Sequence, residues 1–231
     1  VTGAASRDWL HQVAYEVRLE WGPRGAQEGA RRGDVVVVVD VLSFTTTVTA
    51  ALAHGASIVP FPWGDPDAAA REAERLGVRL LTGDGEPETA RRSLSPLGFG
   101  EHARGETYLL SSPNGATCAH VASAGGITLL GCLRNAEAVA TAAAEEARTR
   151  GVGITVVPCG ERWPERADPT DQGMRPCVED HLGAGAITFS LVGRRSPEAG
   201  LAADAFRAAR DRLAPTLRDC VSGRELHARG Y

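Results

Sequence analysis

Five carboxylates stand where a strand gives way to a turn or where a helix begins: Asp40, Asp84, Glu161 and the adjacent pair Glu179–Asp180. Together they form an oxygen-only donor set. Such sets suit Mg²⁺, which keeps several waters and binds through a few carboxylates plus a substrate phosphate. Hydroxyls and amides lie beside them. Ser43 and Thr45, Thr46 and Thr47 follow Asp40 and offer N-cap hydroxyls to a helix start. Ser112, Asn114 and Gly115 lie in Ser111–Thr117, a turn before a helix whose backbone N–H groups could hold an anion. The plain structural alternative is that Asp40 and the threonines cap a helix, and that Glu179 and Asp180 compensate a helix dipole.

Cys159 is a candidate nucleophile, because a thiol at a strand end can have its pKa lowered. The string Cys-Gly-Glu-Arg-Trp-Pro lacks the cysteine, five residues, arginine loop of cysteine-dependent phosphatases. A buried structural thiol is the default there. The candidate catalytic residues are therefore Asp40, Asn114, Cys159 and Glu161. His54, His102, His120 and His181 show neither HxH nor HExxH spacing, which argues against zinc.

These residues need elements to position them. Asp34 to Thr47 begins with five consecutive valines, the pattern of a strand buried on both faces, ending at Asp40. A carboxylate at a strand's carboxyl end, next to a helix start, is where open α/β sheets place ligands. A helix should run from the threonines to Gly55. Further strands are expected at 57–61, 78–82, 107–112, 127–132 and 154–157. Helices are expected at 66–76, capped by Asp65, then up to about 124, and at 135–148, 177–191 and 197–213. Residues 1–33 read as irregular apart from an edge strand within 11–20, with Gly22, Pro23 and Gly25 as loop. Residues 86–105 and 158–176 read as long loops, and no closing element is evident before Tyr231.

Alternating strands and helices predict an α/β fold, with a mostly parallel sheet and helices on both faces. At 231 residues this is one domain, 1–231, or two small lobes. The net charge of −4 argues against nucleic acid as the main partner. No apolar run approaches membrane-spanning length, no signal-peptide pattern opens the sequence, and five cysteines without a CxxC pair fit reduced thiols. A cytoplasmic protein with no membrane partner is expected, and a homodimer is compatible. All 25 basic residues are arginine, so Schiff-base chemistry and a Walker-type loop, which need lysine, are excluded.

The ordered strings DVLSFTTTVTAALAHGA, LLTGDGEP, SLSP, SSPNGAT, GCLRNAEAVA, PCGERW and CVEDHLGAGAI resemble, over residues 34–192, the 2-phosphosulfolactate phosphatase family of sulfonate and coenzyme M biosynthesis. The resemblance implies an Mg²⁺-dependent α/β phosphatase acting on the phosphate monoester of a small 2-hydroxy acid. It implies metal ligands at Asp40, Asp84, Glu179 and Asp180. Phosphate and substrate contacts would come from Thr45, Thr46, Thr47, Ser112, Gly115 and Asn135, with Arg134 or Arg162 orienting the acid end. The attacking group is left open between water, a carboxylate and Cys159. Two departures bear on substrate: Ser43 replaces the family's usual arginine, and Gly83-Asp84-Gly85 replaces its Gly-Glu-Arg. These departures keep alive a repurposed lyase, isomerase or transferase on a small acid, and a non-catalytic anion-binding protein.

Overall fold

A computed structural model describes residues 8–62, 66–81, 95–163 and 173–231. The strands are β1 (Val17–Leu19), β2 (Val35–Val39), β3 (Ser57–Pro62), β4 (Arg79–Leu81), β5 (Thr107–Ser112), β6 (Thr128–Gly131), β7 (Ile154–Pro158), β8 (Glu161–Arg162) and β9 (Met174–Arg175). The α-helices are α1 (Gly22–Arg32), α2 (Phe44–Ala53), α3 (Pro66–Leu76), α4 (Gly115–Ser123), α5 (Ala136–Arg150), α6 (Val178–Ser190), α7 (Pro197–Ala209), α8 (Leu213–Asp219) and α9 (Val221–Ala228).

The strands form two parallel sheets rather than one. The larger has the order β1-β7-β2-β6 and the smaller β3-β5-β4, and β8 pairs with β9 in a separate antiparallel ribbon. The five valines of β2 show how the larger sheet is covered. Val35, Val37 and Val39 pack with alanines of α5, α6 and α7, while Val36 and Val38 pack on the other face with Ala26 of α1 and Cys118 and Ala122 of α4. Side chains alternate along a strand, so an unbroken apolar run fills both faces. The smaller sheet repeats the scheme: Tyr108 and Leu110 of β5 meet α2, and Leu109 meets Ala69 and Ala73 of α3. Helix α4 lies along the seam, touching β2 and β6 of one sheet and β3 and β5 of the other.

Three expectations need correction. Residues 22–32 are a helix, not a loop. Its glycines serve close packing: a Cβ on Gly29 would come within 3.0 Å of Val36 and 3.1 Å of Thr155. Residues 95–105 contain two 3-10 turns, at Pro96–Gly98 and Glu101–Ala103, and the expected 158–176 loop includes the β8–β9 ribbon. The helix expected over 197–213 ends at Ala209 and gives way to a 3-10 turn at Arg210–Arg212, and α8 and α9 follow where no closing element was expected. The expected cap Asp65, the turn holding Asp84, and residues 82–94 and 164–172 lie outside the described residues. Among the described residues no helix is long and apolar enough to cross a membrane.

Candidate active site

Strands β2 and β7 end side by side, with the Cys159 N–H donating to the Val39 carbonyl at 2.9 Å. Asp40 follows β2 and Gly160 follows β7. Asp180, in the first turn of α6, clasps the two ends together. Its Oδ1 accepts from the Val41 N–H at 2.7 Å and its Oδ2 from the Gly160 N–H at 2.9 Å. Helix α6 can approach this closely because Gly183 faces Val39 and Val41, where a Cβ would collide.

Asp40 is 7% exposed and accepts from two helix starts. The Phe44 N–H of α2 donates to Oδ1 at 3.3 Å and the Gly115 N–H of α4 to Oδ2 at 2.8 Å. Gly115 must be glycine, since a Cβ there would lie 2.6 Å from Asp40 Oδ2 and collide with the Phe44 ring. Its neighbour Asn114 donates from Nδ2 to Glu161, at 2.5 Å to Oε1 and 3.1 Å to Oε2. One dipeptide carried by the smaller sheet therefore holds two carboxylates, one just after β2 of the larger sheet and one on the β8–β9 ribbon. Glu179, 3% exposed, accepts from the Cys220 thiol at 3.4 Å, and the Cys177 thiol also bonds within the Glu179–Asp180 pair.

The carboxylates raise one another's pKa. Burial pushes Asp40 up to about 7, Glu161 and Glu179 add to the rise, and the N–H groups of Gly115 and Phe44 oppose it. Asp180 is raised by burial first and then by Asp40. Glu161 is raised by burial, Glu225 and Glu179, against the Asn114 amide and the Arg175 guanidinium. A buried carboxylate group with so little compensating charge is the kind of arrangement found at functional sites.

The other expected site residues fall into place around this cluster. Thr45 is fully buried; its hydroxyl donates to the Asp40 carbonyl at 2.6 Å and accepts from the Asp40 N–H at 3.1 Å. Thr46 donates to the Val41 carbonyl at 2.7 Å, and Thr47 is fully buried. These hydroxyls lock the strand-to-helix turn, and the capping expected of Ser43 is performed by Asp40, since Ser43 makes no side-chain cap. Ser112 is buried at the end of β5. Asn135 Oδ1 accepts from the Cys132 N–H at 2.7 Å, and its amide reaches Thr49 and the Leu130 carbonyl, so it secures the turn after β6. Arg162 donates to the Pro113 carbonyl at 3.0 Å, and Arg134 is exposed.

Cys159 is not equipped as a nucleophile. It is 2% exposed among Ala26, Val36, Val38 and Cys118, and its thiol pKa is driven well up by burial, by Cys118 and by Asp40 and Asp180. A thiol held protonated is a poor attacking group. Cys177, Arg175, Cys220 and Glu225 went unnoticed in the sequence. Cys177 adjoins the acidic pair and was there to be weighed; the other three reach the site only through tertiary contacts.

Among the described residues, no three His, Cys, Asp or Glu side chains are grouped to hold a metal ion. Mg²⁺ asks for less, since one or two carboxylates with water and phosphate suffice. The hard-oxygen set of Asp40 and Glu179, each adding to its neighbours' charge burden, fits that requirement.

The model of the 2-phosphosulpholactate phosphatase family matches residues 23–231, and the chain belongs to that family. The match takes in α1, α8 and α9, beyond the stretch of motifs at 34–192. The family's description names a phosphatase, a hydrolase of phosphate esters. Among curated proteins none matches the chain.

Proposed function

We propose that the protein is an Mg²⁺-dependent phosphatase that hydrolyses the phosphate monoester of a small 2-hydroxy acid of the 2-phosphosulfolactate type. The observation that carries this reading is the convergence of Asp40, Asn114–Gly115, Glu161 and Glu179–Asp180 at one rim, where two strand ends of the larger sheet meet α4 of the smaller. Asp40 and Glu179 would hold the ion. When bound, Mg²⁺ supplies the positive charge that draws electron density from the phosphoryl oxygens and relieves the crowding of carboxylates. Asn114 and the first turn of α4 orient the phosphoryl group toward Asp40. Glu161, held by Asn114 and with its pKa raised, takes the proton from the attacking water. Asp180 keeps the ends of β2 and β7 in register beneath them.

The test is phosphate release from 2-phosphosulfolactate and from other phosphorylated 2-hydroxy acids, before and after chelation. Release is expected with Mg²⁺, loss after chelator treatment, and recovery on adding Mg²⁺ back. Release indifferent to chelation removes the metal from the reading. No release from any member of the series removes the phosphatase.

A further inference from the structure

The last two helices are built unlike the rest of the chain. Neither α8 nor α9 contributes a side chain to any of the four apolar clusters, and they pack mainly on each other. Ser222 is their one buried residue, at 6% exposure, and its hydroxyl has no hydrogen-bond partner. A segment without core residues is held to the body weakly. One of its contacts with the body falls on the acidic cluster. Cys220, the N-cap of α9, receives the Gly223 N–H at 3.4 Å, and its thiol proton is shared between the Leu217 carbonyl at 3.1 Å and Glu179 Oε2 at 3.4 Å. Glu225 lies one turn from Ser222 on the same helix face and acts on Glu161 through its charge. The positive end of α9 thus abuts the carboxylate that the proposed reaction assigns to the ion.

We propose that Cys220, at the junction of α8 and α9, is a positioning residue for Glu179. The inference rests on the metal-dependent reading of the site. Glu179 has thiol partners at Cys220 and Cys177, and no guanidinium bonds to it among the described contacts. The Cys220 contact fixes the orientation of its carboxylate. Groups that orient a metal ligand from behind typically matter by 10- to 100-fold in affinity or activity, as a rough range.

Mn²⁺ binding followed by electron paramagnetic resonance should weaken about tenfold in Cys220→Ala and recover in Cys220→Ser, with the melting temperature of both close to the parent's. Under turnover, Cys220→Ala should lose kcat/KM and Cys220→Ser should regain most of it. Full Mn²⁺ affinity in Cys220→Ala overturns the proposal. Mn²⁺ binding needs no turnover, so absence of phosphatase activity would count against the reaction and leave this question separately decided.

Discussion

Strand β2 has an aspartate at each end, and the two are treated in opposite ways. At the amino end, Asp34 is 3% exposed and fully matched: Arg18 donates to Oδ1 at 2.8 Å, Arg32 to Oδ2 at 2.9 Å and Thr155 to Oδ2 at 2.6 Å. Arg18 is fixed in turn by the Gln12 carbonyl, and Arg32 by Thr155. At the carboxyl end, Asp40 is equally hidden but meets N–H dipoles and other acids, with no guanidinium bonded to it among the described contacts. Burying a charge is costly in either place. The amino end spends its arginines on holding β1, β2 and β7 together, whereas the carboxyl end leaves its acids without a bonded guanidinium among the described contacts. Under the proposed reaction, the first carboxylate is structural and the second functional.

The contrast is broken most severely by Asp40→Asn. Hydrolysis should fall by at least about a thousandfold, equivalent to about 4 kcal/mol of barrier, with the fold retained by circular dichroism. Full turnover in that variant, measured by phosphate release, would remove Asp40 from the reaction. Asp34→Ala should do the reverse. Stripping the acid from two buried arginines should cost about 3–5 kcal/mol in urea unfolding, while specific activity per folded molecule holds. Wild-type unfolding energy in that variant would mean that the amino-end network is ornamental.

The smallest effect is a pH dependence. The carboxyl of Asp40 rises from 3.8 to about 7 on folding, so the folded state keeps a proton that the unfolded state gives up. The stability it contributes is fully present below about pH 4 and is lost as pH climbs toward 7; Asp180 and Glu161, also raised, act in the same direction. Denaturation midpoints of metal-free protein should therefore decline across that window, and Mg²⁺ should flatten the decline. A midpoint that climbs over the same range would contradict the uncompensated character of the carboxyl end.

Much of this was legible before any coordinates, for local reasons. Five valines announce a strand buried on both faces, and Pro66 followed by an alanine-rich stretch marks α3 at its observed bounds. The strand-end residues Asp40, Asn114, Glu161 and Asp180 could be read because each belongs to a strand, turn and helix sequence that advertises itself. What escaped was tertiary. Gly22 and Gly25 read as turn formers, yet they belong to a helix in which Gly29 allows close packing on Val36 and Thr155. The division into two sheets leaves no local trace. Helices α8 and α9 carry no apolar stripe for a core, so nothing in their pattern betrays them, and Cys220 meets Glu179 across 41 residues of chain. Cys159 misled for the converse reason: its strand-end address is right, but its side chain faces inward.

The Asn114–Gly115 dipeptide is where the two sheets shake hands. Both follow β5 of the smaller sheet, yet Gly115 grips Asp40 at the end of the larger sheet and Asn114 grips Glu161 on the β8–β9 ribbon. Heat or pressure that lets one sheet slide against its neighbour would loosen that grip while every strand stayed intact, so the protein should fall silent before it falls apart.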